Sequence, residues 1–224
     1  MGKEQVSELI KAGVHFGHLT RKWNPKMAPY ILESRDGVHI LDLVQSYAYL
    51  NQVKQFISRA KKQNRTFLFV GTKAQAAHSV ALAAKSCNSY YINQRWLGGL
   101  LTNWSTLKRS IGLLNRMELI QREGVVETLP NKLKSSFSRE HARLRKYLGG
   151  IESMKSEPDV VIIVGQKEEA IALNECEKLG IRTITLLDTN CNPDSADLFI
   201  PVNDDSIKAI RSVLTDLSTE ISQA

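Results

Sequence analysis

Residues 11–30, KAGVHFGHLTRKWNPKMAPY, set His15, Phe16, His18, Trp23 and Tyr30 among the cations Lys11, Arg21, Lys22 and Lys26. Planar rings stack on unpaired bases, and guanidinium and ammonium groups meet phosphates, so this mixture suits RNA. Neither a helical nor a strand period runs through the stretch, which marks it as a recognition segment. The competing reading is an ordered loop whose aromatics plug the core.

Two other groupings bear on chemistry. Gly71-Thr72-Lys73 follows the apolar run FLFV, and a strand-to-helix turn there offers backbone amides to a phosphate. Neither GxxxxGK[ST] nor GxGxxG occurs, so tight turn geometry or an RNA contact by Lys73 is preferred to nucleotide binding. The rival reading is a nucleotide-binding α/β enzyme or switch at that turn. His18, Asp188, Asp204 and Asp205 form the second grouping. If the loops after the strands gather them, an imidazole with carboxylates suits zinc, and carboxylates alone suit magnesium. Turn and N-cap chemistry explains Asp188-Thr189-Asn190 and Asn203-Asp204-Asp205 equally well. No Ser, His and Asp set has nucleophile-elbow spacing, and no enzyme is expected.

Charge is divided unevenly along the chain. Residues 1–148 carry 24 Lys and Arg against 9 Asp and Glu, whereas residues 151–224 carry 6 against 14. The first part wants a polyanion, and the closing third is expected to turn away from it. The longest apolar runs fall far short of the ~20 residues that span a bilayer. No signal pattern opens the chain, so it is expected to mature where it is made. Cys87, Cys176 and Cys191 match no disulfide framework or zinc knuckle and are expected to be buried thiols in a reducing compartment.

The elements that must position these residues alternate. Helices are expected near 4–11, 44–62, 73–86, 168–179 and 205–221. Strands are expected at 38–43, 66–70, 90–92, 159–164 and 183–187. Strands that are apolar without alternation indicate a parallel sheet covered on both faces. Residues 105–148 interrupt the series with two narrow apolar stripes, Leu107 to Ile120 and Leu133 to Leu148, and ten cations. They are expected to form an antiparallel helical hairpin, a coiled coil that packs mainly on itself and protrudes. The domains expected are thus 1–104 with 149–224, and the insertion 105–148. His141 falls in the second stripe and is expected at a core edge.

The motifs AGVHFGH, RKWNPKMAPYI, FLFVGTK, YINQRWLGGLLTNWST, YLGGI, PDVVIIV and LDTNCNPD, in that order, resemble the bacterial-type small-subunit ribosomal protein two family. The wording is similar to cyanobacterial and chloroplast members. The resemblance implies a flavodoxin-like α/β fold with a protruding hairpin, no catalysis, no required cofactor, and a place in chloroplast ribosomes or, alternatively, the bacterial cytoplasm. It implies small-subunit rRNA as partner, at the head–body junction on the solvent side near the messenger exit. Neighbouring ribosomal proteins, including the multi-OB-fold protein one, would be partners as well; neither a membrane nor a second copy of the chain is expected. Many bacterial members carry an acidic tail beyond the position of Ala224, and its share of the docking surface is not expected here. Carried onto this chain, the RNA-facing residues are Arg21, Lys22, Trp23, Asn24, Lys26, Lys73, Arg95, Asn103, Trp104, Lys108 and Arg109. Trp96, among leucines, is expected in the core.

Overall fold

The computed structural model describes residues 3–223. A helix, α1 (Lys3–Ala12), leads into a strand, β1 (Phe16–Leu19), then two short 3-10 turns, then β2 (Ile31–Arg35) and β3 (Val38–Leu41). Leu9 anchors α1 in the core, while the side chain of Val6 lies outside the described residues. β1, β3 and β2 make a small antiparallel sheet in that order. Asp36 (φ 50°) and Gly37 (φ 76°) turn the chain between β2 and β3. An Asp-Gly pair with both residues left-handed is what a two-residue hairpin of the right twist requires. Two expectations are corrected here. The strand near residue 38 joins this hairpin rather than the parallel sheet, and the recognition segment itself contributes a strand.

Helix α2 (Leu43–Lys62) is capped by Asp42, whose carboxylate accepts the Val44 and Gln45 N–H groups. It enters a second sheet built from β4 (Phe67–Val70), β5 (Tyr90–Ile92), β6 (Val160–Val164), β7 (Arg182–Leu187) and β8 (Leu198–Pro201). All neighbours are parallel, in the order β5-β4-β6-β7-β8. Counted along the chain this is 2-1-3-4-5, the flavodoxin-like order. The connections are α3 (Ala74–Ser86), α4 (Trp104–Arg122) with α5 (Asn131–Leu148), and α6 (Ala170–Leu179), and α7 (Ile207–Gln223) follows β8. β8 was missed in the sequence because its four residues, LFIP, end in proline, which an edge strand tolerates.

Alternation of side chains divides the core into two layers. Phe67, Phe69, Val160, Ile162, Ile184 and Leu186 face α2, α3 and α7. Leu68, Val70, Val161 and Ile163 face α6 and the base of the α4–α5 pair. The two helices pack on each other, and the base of the pair also joins the core. Leu107, Ile111 and Leu114 of α4 and Leu144 and Leu148 of α5 belong to the sheet's second layer, while Leu119, Val125 and Leu133 lie exposed farther along. His141 sits half-buried against Phe137, 3.9 Å from the buried Glu118, which also pairs with Arg145. The three cysteines are free and buried.

Candidate nucleic-acid interface

The carboxyl ends of the parallel strands gather the loops after β4, β6, β7 and β8 at one edge, and the N-terminal sheet docks there. Thr189, fully buried after β7, is the hinge pin of that docking. Its hydroxyl accepts the His18 N–H at 2.9 Å and its carbonyl accepts the Asn24 N–H at 2.9 Å. Gly17 lies so close that a Cβ there would stand 2.5 Å from Thr189 Cγ2. Asn203, after β8, donates its backbone N–H to Val14 O and its side-chain amide to Gly13 O. The closing third packs directly against the basic segment. It supplies the platform on which that segment stands.

Beneath this platform the structure brings together His18, Asp188, Asp204 and Asp205, each offering a ligand atom within 4.8 Å of the others. His18 Nδ1 lies 3.0 Å from Asp188 and Nε2 lies 3.1 Å from Asp205. The hydrogen bond to Asp188, opposed by burial and reinforced by the charge of the three carboxylates, raises the imidazole above its ordinary value. Lys73 reaches into the same group. Its side chain is only 10 % exposed and its ammonium donates to Asp204 at 2.9 Å and Asp205 at 3.1 Å. Burial lifts Asp204 to about 6 against the pull of that ammonium. The expectation that Lys73 meets an RNA phosphate is corrected by this geometry, because its charge is spent internally.

The nucleotide reading of the Gly71 turn fails on the same ground. The Thr72 N–H, which a phosphate would need, is taken at 2.7 Å by the buried carboxylate of Glu169. Gly71 is required by packing: a Cβ there would meet Val80 Cγ2 at 2.9 Å. A crevice lined by carboxylates repels a polyphosphate rather than cradling it.

The remaining basic residues differ. Arg21, Lys22, Arg95, Lys108 and Arg109 are exposed and pair with no carboxylate among the described residues. Trp23, 38 % exposed, packs one side against His39 with ring centroids 5.1 Å apart. Asn24 accepts the Lys26 N–H and so caps its turn, and Lys26 pairs with Asp194. Asn103 is exposed and makes no capping bond, whereas Trp104 lies half-buried against the second core layer. Trp96 is buried, as expected.

A match to the model of the ribosomal protein S2 family covers residues 9–224. The chain belongs to this family. It is 50% identical over 219 residues to small ribosomal subunit protein uS2c of Oltmannsiellopsis viridis, covering 98% of this chain and 92% of that protein. It is 51% identical over 221 residues to uS2 of Synechococcus sp. (strain JA-2-3B'a(2-13)), covering 99% and 84%. The uS2c of Rhodomonas salina is 50% identical over 218 residues, covering 97% and 90%. A ribosomal protein S2 is a structural protein and not an enzyme.

In this S2-family chain one buried carboxylate, unmarked in the sequence, organises the segment between β5 and α4. Glu175 of α6 accepts from Trp96 Nε1 (3.0 Å) and from the backbone N–H groups of Gly99 (2.8 Å), Leu101 (2.9 Å) and Thr102 (3.1 Å). The Thr102 hydroxyl adds a fifth bond. Burial alone would raise this carboxyl, but the Trp96 and amide donors outweigh it and hold the group below its ordinary value. Arg95 and Asn103 flank the segment that Glu175 fixes. Glu169 and Glu175 share their residue type with many solvated helix positions, so only the fold reveals them.

Proposed function

We propose that this protein is an architectural component of the chloroplast small ribosomal subunit that grips rRNA with the loops at the carboxyl edge of its sheet. The observation that carries the reading is the set of unpaired, exposed cations Arg21, Lys22 and Arg95 on elements rigidly tied to that edge, in a chain of the S2 family. Arg21 and Arg95 offer forked donors to phosphates and Lys22 a point charge. The open side of Trp23 takes an unpaired base, and Asn103 bonds a base edge or a 2′-hydroxyl. Lys108 and Arg109 extend the surface onto α4. The 105–148 insertion serves as a protruding arm for this purpose. The position proposed is the head–body junction on the solvent side, near the messenger exit, as a single copy that helps to dock the multi-OB-fold protein one. Among the described residues no helix is long and apolar enough to cross a membrane.

Arg21→Glu with Lys22→Glu tests this reading. The double variant is expected to lose incorporation into small subunits, while reversal of Lys167 and Lys178 leaves it nearly unchanged. Affinity for rRNA should also fall by roughly 0.7 to 0.9 log units per phosphate contact for each log unit of salt. Equal incorporation of the two double variants would remove the proposal.

The grouping of His18, Asp188, Asp204 and Asp205 fits zinc as well as it fits an internal ion pair. His18 presents Nε2 toward Asp205 and Nδ1 toward Asp188, the arrangement in which an outer carboxylate orients a ligating imidazole. Lys73 is then the competitor, since its ammonium and the ion want the same oxygens. Chelator-washed protein re-exposed to zinc should retain the ion, and a His18→Ala variant should not. Equal and negligible contents would leave the ion pair as the whole account.

A further inference from the structure

Gly112 stands at the middle of α4, a position where glycine costs a helix about 1 kcal/mol relative to alanine. Nothing in this fold asks for it. Its backbone is not left-handed, and a Cβ placed there would meet no atom within 4 Å. Leu107, Ile111 and Leu114 turn to the core, which puts Gly112 on the opposite face of the helix. On that face Ser105, Lys108, Arg109, Leu113 and Arg116 surround it and line a shallow groove of about 420 Å³. Lys108, Arg109 and Arg116 are exposed, and none of them pairs with a carboxylate among the described residues. No acidic residue occurs between Trp104 and Met117.

We infer that this groove seats a single-stranded stretch of the ribose–phosphate backbone, with Gly112 as its floor. The inference rests on the RNA-binding reading above and deepens it, adding Gly112 and Arg116 to the interface. A missing Cβ lets a backbone approach the helix axis more closely than any other residue would allow. Lys108 and Arg116, one turn before and after Gly112, stand at the two ends of the groove, and Arg109 stands beside it. Lys108 and Arg116, eight residues apart on one helix, stand about 12 Å from each other along its axis, so they meet separate, non-adjacent phosphates on either side of the floor. The uncharged Ser105 and Leu113 complete the walls, so sugar and phosphate are read and base identity is not.

Gly112→Ala and Gly112→Leu separate the two roles a glycine can have. Both should raise the thermal midpoint of the free protein, because alanine and leucine are better helix formers. Against a small-subunit rRNA fragment, Gly112→Ala is expected to weaken binding about threefold and Gly112→Leu by tenfold or more. Arg116→Ala should lower the salt dependence by about one phosphate contact. Arg21→Glu with Lys22→Glu, outside the groove, is the control. If that control loses rRNA while Gly112→Leu binds like the parent, the groove is overturned and the broader reading stands. If neither the control nor Gly112→Leu changes binding, both fall.

Discussion

Removing Glu175 should be far more damaging than its exposed-looking residue type implies. Glu175→Ala leaves four N–H donors, on Trp96, Gly99, Leu101 and Thr102, without their acceptor, together with the Thr102 hydroxyl. Trp96 and Leu101 are buried, whereas Gly99 is half-buried and Thr102 exposed, so the full penalty of roughly 1–3 kcal/mol per stranded donor falls on the first two and water recovers part of the rest. A loss of about 3–5 kcal/mol is therefore expected, in line with breaking other buried charged partnerships. For a chain of this size that corresponds to a thermal midpoint lowered by roughly 6–20 °C. Glu175→Gln keeps one carbonyl oxygen but turns an amino group toward amide donors, and should cost about 2–3 kcal/mol.

The acid side of the stability profile carries an independent check. Because the folded carboxyl lies below its usual 4.5, its contribution is full above that pH and disappears as pH falls through the lower folded value. The stability gap between parent and Glu175→Gln, measured by urea denaturation, should stay constant from about pH 6 to 8 and close below about 4.5. Amide exchange at residues 99, 101 and 102 should quicken in the variant. An unchanged urea midpoint for Glu175→Ala, or a gap that persists undiminished to about pH 3, would refute the reasoning.

Gly17→Val should unseat the N-terminal sheet, because its Cβ would collide with Thr189 and approach the His39 carbonyl to 3.1 Å. A destabilisation of about 2–4 kcal/mol is expected by chemical denaturation, with loss of rRNA binding in the remaining folded fraction. Lys73→Met strips the buried carboxylates of their ammonium and should lower the thermal midpoint of metal-free protein. Adding zinc should then raise that midpoint more in the variant than in the parent, and an equal response would argue against competition for the same oxygens. Burial pushes Cys176 and Cys191 up to about 12, so neither thiol should react with a disulfide reagent near pH 8 until the protein is unfolded.

Much of this arrangement was open to reading in the chain. Short, β-branched runs such as VVIIV without alternation read as strands covered on both faces, and single helices between them point to a parallel sheet. The four residues His18, Asp188, Asp204 and Asp205 could be proposed as neighbours because a parallel sheet collects the loops after its strands at one end. The Asp36-Gly37 turn was equally legible, and reading Val38 into the parallel series overlooked it. Lys73 could not be judged from sequence, since a lysine close after a glycine looks the same whether it faces phosphate or the carboxylates of Asp204 and Asp205. Nor could net charge say where the acidic third would go. Thr189 and Asn203 bind it to the basic segment through hydrogen bonds spanning 165 residues or more, and such long-range bonds leave no local pattern. Composition and periodicity follow from neighbours along the chain and so declared the layers and the polyanionic partner. Which cations remain free, and which acids are spent holding the platform, depends on contacts across the fold and was decided only there.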